Sequence, residues 1–409
     1  MVIFSTIIRC LQVVTILSVT KLIDGHQVLI ISLDGFRYDF LNTYNTSLPT
    51  LEFMAKNGVH AINGMQSVYP AMTWANHWSM ATGLYTENHR VSDIKYYYDT
   101  NRVFNRSASK LYSQDRQDWA GVPIWDTVTL ANKSIGVTSW IGSWVDFGLG
   151  CQPLDQAIEK ISFTSLNDTL KFAYNFLVND HKDMVMVYWQ YPDEAEHMFG
   201  SRSSTTFQKL IEIDRQLEQF LERLGPEFLN QLDIVLVSDH GHTDIKKTIY
   251  LTNYLDQTND IEYMISGPIA EITPKPGRLQ MVIDGLQKAT NNGKLAQWYN
   301  YTSLPKEWHI RKLYQNQPEK LLVQGSEGIL IYQNWTSFLP VPSDHAFDPR
   351  LPSIRPLFVA IGPSFENGHK ISKPIELVNY YELFMHLVGV KPLDNDGSLD
   401  VWRPILRYF

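Results

Sequence analysis

Five near-continuous apolar runs constrain this chain more than any other feature: VLIISL (Val28–Leu33), IGVTSW (Ile135–Trp140), MVMVYW (Met184–Trp189), IVLVS (Ile234–Ser238) and LFVAI (Leu357–Ile361). A strand with one wet face alternates apolar and polar residues. A run without alternation is a strand covered on both faces, as in a parallel sheet. Stretches of helical period separate the runs, among them Leu170–Asn179 and Phe207–Leu224. The expected fold is therefore α/β, a mostly parallel central sheet with helices on both faces. The segment from about 246 to 344 breaks the pattern: it holds the Pro- and Gly-rich GPIAEITPKPG, a helix-like stretch near Leu279–Thr290, and GILIYQ (Gly328–Gln333). It reads as an insertion lobe that rejoins the main sheet at Asp344.

Residues 1–25 read as a signal peptide, with Arg9 ahead of a short apolar run from Leu11 to Val19, leaving 26–409 as the mature domain. No membrane span is evident, because the run is too short for one. Sequons at Asn45, Asn105, Asn132, Asn167, Asn300 and Asn334 are consistent with export and glycosylation. Of the two cysteines, Cys10 falls in the leader, so Cys151 stands alone in the mature chain, buried, free or paired between chains, which argues against a disulfide scaffold. The formal net charge of -8 argues against a stable nucleic-acid partner. A phosphate handled by so acidic a chain needs local positive charge, and metal ions are a source of it.

Three strands end in polar signals. Asp34 follows the first, Asp193 and His197 follow MVMVYWQYP, and Asp239, His240 and His242 follow IVLVS. Ligands of open α/β sheets bind at the carboxyl ends of the strands, so these groups are expected at one edge. Imidazole and carboxylate donors without thiolate suit zinc. A fourth signal is YPAMTWANHWSMATGLYTENH, in which Thr73 opens a helix running to about Thr82. Its hydroxyl is either an N-cap or a nucleophile facing a phosphate at the helix N-terminus. Trp74 is either a stacking platform for a base or a core aromatic.

Together SLDGFR (Ser32–Arg37), Tyr69–His89, YPDEAEHMFG (Tyr191–Gly200), SDHGHTDI (Ser238–Ile245), DHAFDP (Asp344–Pro349) and FVAIGPSF (Phe358–Phe365) resemble the ectonucleotide pyrophosphatase/phosphodiesterase family, of the alkaline phosphatase superfamily. The resemblance implies an alkaline-phosphatase-like fold in its short, catalytic-domain-only form. It implies two zinc ions, one held by Asp34, Thr73, Asp239 and His240, the other by Asp193, His197 and His345. Thr73 would be the nucleophile, passing through a threonyl-phosphate. The implied substrates are small phosphodiesters or pyrophosphates such as ATP, ADP or NAD. Relatives with the same chemistry cleave choline lysophospholipids or sphingomyelin, and a non-catalytic adhesion or receptor ectodomain on the same fold is a third possibility. The residues alone do not point to His345, and the family pattern has no use for His242, which is then expected at the surface or behind the ligands. The chain departs from the pattern at Glu196, Asp344 and Ala346, where the family has glycine, and at Ser201, where it has proline. The family's phosphate-contacting Asn is missing from HRVSDIKYYYD, where Ser92 is the candidate replacement.

Overall fold

The computed structural model describes residues 26–91, 97–99, 102–103, 118–147, 165–334 and 341–407. Cys10, Cys151, Ser92, Asn105 and the expected signal peptide lie outside the described residues. A seven-stranded sheet carries the fold, in the order His369–Ile371, Val59–Ala61, Phe358–Ile361, Leu232–Val237, Gln27–Leu33, Met184–Trp189, Ile135–Thr138. Gln27–Leu33 lies at its centre, parallel to both neighbours, with Ile30 opposite Met186 on one side and Val235 on the other. Phe358–Ile361 is antiparallel to both of its neighbours. The expectation that LFVAI joins the parallel strands is therefore corrected. A strand covered on both faces shows the same apolar run whichever way it points.

Period-two alternation sorts these strands into two cores. Val28, Ile30, Met184, Met186, Val235 and Val237 face one layer, packing with Trp78, Trp125, Tyr380 and Phe384 from the helices Thr73–Thr82, Ile124–Leu130 and Tyr380–Val388. Leu29, Ile31, Leu33, Val185, Val187, Ile234 and Leu236 face the other, packing with Leu51, Leu170, Ile213 and Leu217 from the helices Pro49–Asn57, Leu166–Tyr174 and Ser204–Leu224. Each fully buried side chain of this size contributes roughly 1.5–3 kcal/mol. Both faces of the sheet are thus apolar, and polar chemistry is left to the strand ends.

Beyond Asp244 the chain builds a four-stranded antiparallel sheet in the order Ile261–Ile265, Ile269–Pro274, Leu321–Gly325, Ala296–Tyr299. The helix Leu279–Ala289 packs Val282 and Leu286 into that sheet's own core. At the stem, Thr243–Asp244 pairs with Ser343–Asp344. This short ladder sets His345, the next residue, beside His240 and His242.

Candidate metal and nucleophile site

Three parallel strands deliver their carboxyl ends to one place. Asp34 follows Gln27–Leu33, and its backbone N–H donates to the Trp189 carbonyl at 2.9 Å. The Asp34 carbonyl in turn accepts from the Asp193 N–H at 3.0 Å, at the start of the helix Asp193–Phe199. Between them Gly35 takes φ +72°, and a Cβ there would sit 2.9 Å from the Asp193 backbone. The aspartates can approach this closely only across a glycine.

Around His240 Nε2 stand Asp239 Oδ2 at 3.1 Å, Thr73 Oγ1 at 3.3 Å and Asp34 Oδ1 at 3.5 Å. Asp34, Asp239 and His240 are buried, and Thr73 is half-buried. The N-cap of the helix Thr73–Thr82 is Met72, and no side chain caps it. Thr73 is its first helical residue, so the capping role expected of its hydroxyl is not the one it has. His77, one turn along at the spacing that shares a helix face, contacts the Thr73 carbonyl through Nδ1 at 2.8 Å and Ser32 Oγ through Nε2 at 2.8 Å.

Asp193 Oδ1 is the second focus. His242 Nε2 lies 2.6 Å from it, His197 Nε2 3.4 Å and His345 Nε2 3.9 Å. His197 sits one turn after Asp193 on the same helix, and the His345 ring stacks on His240 with centroids 3.8 Å apart. His345 Nδ1 is 3.0 Å from the Ala71 carbonyl. Ala346 holds φ +63°, a conformation that glycine adopts without strain, which accounts for the family's glycine at this position. His242 is fully buried, so the expectation of a surface position for it is corrected.

The electrostatics call for cations. Burial raises the Asp34 carboxyl well above its ordinary range, and the charges of Asp239 and Asp193 push it further. Burial, then the charge of Asp193, moves Asp239 up to about 8. Glu196, fully buried against this cluster, is also raised, by burial first and then by Asp193. Asp34 Oδ1, Asp239 Oδ2, His240 Nδ1 and both Glu196 oxygens are buried without a hydrogen-bond partner. Buried carboxylate oxygens left in this state ordinarily have a metal or a charge to meet. Asp34, Asp193 and His240 bring ligand atoms within 4.8 Å of one another, as do Asp193, His197, His242 and His345. The donor set fits metal ions.

Two residues that sequence reasoning passed over hold this site in place. Tyr188 donates its hydroxyl to Asp34 Oδ2 at 2.5 Å, and its only sequence signal is a polar atom inside the apolar run MVMVYW. His77 is readable from its spacing to Thr73. Trp74 is 7% exposed, with its ring centroid 5.7 Å from Trp119 and 5.8 Å from Trp144. Asn45, Asn132 and Asn167 are exposed, while Asn300 and Asn334 are half-buried.

The family described as type I phosphodiesterase / nucleotide pyrophosphatase matches residues 28–345. Human ectonucleotide pyrophosphatase/phosphodiesterase family member 5 is 28% identical over 389 residues, 92% of this chain and 77% of that protein. A bis(5'-adenosyl)-triphosphatase of Pongo abelii is 30% identical over 390 residues, 91% of this chain and 80% of that protein. The solved structure of human family member 5 superposes with a TM-score of 0.82 at 27% identity, covering 93% of this chain and all of that one. The murine counterpart, an inactive threonine-to-alanine variant in complex with AMP, gives 0.81 at 27% identity over 93% of this chain. The segment matched by the family spans the Asp34, Thr73, Asp193 and His240 cluster and ends on His345, and the chain belongs to the type I phosphodiesterase / nucleotide pyrophosphatase family.

Proposed function

We propose that the chain is an extracellular, zinc-dependent phosphodiesterase and pyrophosphatase that cleaves nucleotides or nucleotide derivatives with Thr73 as its nucleophile. The observation that carries this reading is the placement of Thr73 Oγ1. It is released from capping and sits 3.3 Å from His240 Nε2, among buried carboxylates that have oxygens without a hydrogen-bond partner. Asp34, Thr73, Asp239 and His240 would hold one zinc ion, and Asp193, His197 and His345 the other. Bound metal supplies the charge that makes a hydroxyl nucleophilic at neutral pH and stabilises the charge developing on the phosphoryl oxygens.

The protein's own part is positioning. The helix Thr73–Thr82 presents its positive end to an anion and carries the nucleophile in its first turn. His77 links the Thr73 carbonyl to Ser32 on the central strand, which anchors the first turn of the helix against the sheet. Thr73 Oγ1 bonds to phosphorus as the bond from phosphorus to the leaving alcohol or phosphate breaks, and the hydroxyl proton passes overall to the departing group. Water then cleaves the threonyl-phosphate and restores the hydroxyl. The substrate class is supported by the triphosphatase name of one relative and by the AMP held in the murine structure.

The test is a pair of chromogenic esters, the p-nitrophenyl ester of thymidine 5'-monophosphate and that of phosphocholine. Release of p-nitrophenol from the first with little from the second is expected. Preference for phosphocholine overturns the nucleotide reading. Release from neither by zinc-loaded protein overturns catalysis and favours a binding ectodomain.

A further inference from the structure

Glu196, which departs from the family pattern, and His242, which that pattern does not use, meet in space. His242 Nε2 lies 3.9 Å from Glu196 Oε2, and both side chains are fully buried. We infer that His242 is a fourth protein ligand in the second metal site, completing the set Asp193, His197, His242 and His345. The inference rests on the two-metal reading above and goes beyond it.

Hydrogen bonding fixes the argument through proton positions. Ser343 has one hydroxyl proton, and it is donated to the Glu196 carbonyl at 2.6 Å. Ser343 Oγ is therefore the acceptor in its 3.3 Å contact with His242 Nδ1, which places the proton of a neutral ring on Nδ1. His242 Nε2 is then a bare lone pair, 2.6 Å from the anionic Asp193 Oδ1. Two such atoms repel unless a cation lies between them.

His345 repeats the pattern independently. A backbone carbonyl can only accept, so Nδ1 donates to Ala71, and in a neutral ring the Nε2 lone pair is turned toward Asp193. Metal-bound imidazoles characteristically have their other nitrogen committed in this way. Ligand atoms 2.0–2.1 Å from a tetrahedral zinc are about 3.3 Å apart. The distances of 2.6, 3.4 and 3.9 Å from Asp193 Oδ1 bracket that value, so small shifts suffice.

The competing arrangement has His242 doubly protonated, an imidazolium between Asp193 and Glu196. Full-length protein labelled with 15N-histidine and loaded with 113Cd separates the two. One-bond coupling of 113Cd to Nε2 of His197, His242 and His345 is expected. Coupling at His197 and His345 with an Nε2–H at His242 overturns the inference and leaves the two-metal reading standing. No cadmium or zinc uptake by the wild-type chain overturns both. As a second readout, His242→Ala should weaken cadmium binding at one of the two sites by more than about a hundredfold, beyond the 10–100-fold typical of losing an orienting residue. A smaller loss overturns the ligand role.

Discussion

Thr73 Oγ1 lies 3.3 Å from His240 Nε2, although the two residues stand 167 positions apart in sequence. One residue opens a helix and the other follows a central strand, so the contact exists only in the folded chain. If the hydroxyl is the nucleophile, Thr73→Ala should remove turnover while leaving fold and metal content intact. Asp34, Asp239 and His240 remain to hold the metal, as three-ligand catalytic zinc sites do. Thr73→Ser keeps the oxygen and should keep partial activity. A merely structural role would instead leave turnover per folded molecule near normal. Turnover per folded, zinc-loaded molecule decides, and Thr73→Ala within tenfold of wild type refutes the nucleophile.

Metal removal should both abolish activity and make stability pH-sensitive. Asp34, Asp193, His77, His240 and Tyr188 all face Asp239, whose carboxyl is raised to about 8 chiefly by burial. A carboxyl with a raised folded pKa holds its proton more tightly folded than unfolded. Its stabilisation is full below its ordinary pKa of about 4 and is lost as pH rises toward 8. The buried histidines oppose this only at lower pH, with His77 and His242 lowered to about 4 and His345 to about 3, in each case by burial foremost. Their effect is complete near their ordinary pKa of about 6.5. The chelated protein should therefore lose several degrees of Tm between roughly pH 6.5 and 8. Zinc should restore activity and remove that fall, because its ligands bind in their deprotonated forms. A chelated Tm that is flat or rising over this window contradicts the placement of these carboxylates. Full activity with metal content near zero contradicts the zinc requirement.

The sheet and the carboxylates at its strand ends are legible because burial on both faces and an abrupt polar break both leave marks in sequence. The direction of Phe358–Ile361 is not, since an apolar run carries no sign. His345 comes from resemblance alone: it reaches the site through the Ser343–Asp344 ladder, a contact no local pattern encodes. His242 runs the other way: the residues alone place it with the strand-end donors, and the family pattern, which says nothing of a residue outside it, sets it aside. Trp74 reads either way in sequence, and its packing beside Trp119 and Trp144 is a contact that no local pattern encodes.

Export makes a separate prediction. The apolar run ahead of Lys21 and the six sequons predict a mature chain beginning between about Lys21 and His26 and carrying N-glycans. Asn45, Asn132 and Asn167 are the most open of the described sequons and should be modified first. Mass spectrometry of protein recovered from medium, before and after a glycosidase, checks both points. An intact Met1 or an unchanged mass refutes the corresponding half.

Tyr188 provides the sharpest separation of metal binding from folding. Its hydroxyl is buried, donates to Asp34 Oδ2 at 2.5 Å, and is raised well above its ordinary pKa, first by burial and then by the charge of Asp34. It therefore remains a donor at every pH of interest and holds one carboxylate oxygen so that the other, Oδ1, is aimed at His240. Tyr188→Phe deletes only that oxygen and keeps the ring packed against His77, whose centroid is 4.9 Å away. Without the hydrogen bond the chelated protein loses one partner of a carboxyl that is already raised, a change of order 1–3 kcal/mol. Metal affinity at the Asp34 site should fall 10–100-fold, the usual cost of losing a residue that orients a ligand. Activity should then recover as zinc concentration is raised, which distinguishes Tyr188→Phe from Thr73→Ala, where added zinc restores nothing. Zinc titration of turnover in the two variants is the measurement. A Tyr188→Phe enzyme that binds zinc as tightly as wild type would show that Asp34 is held by the strand alone.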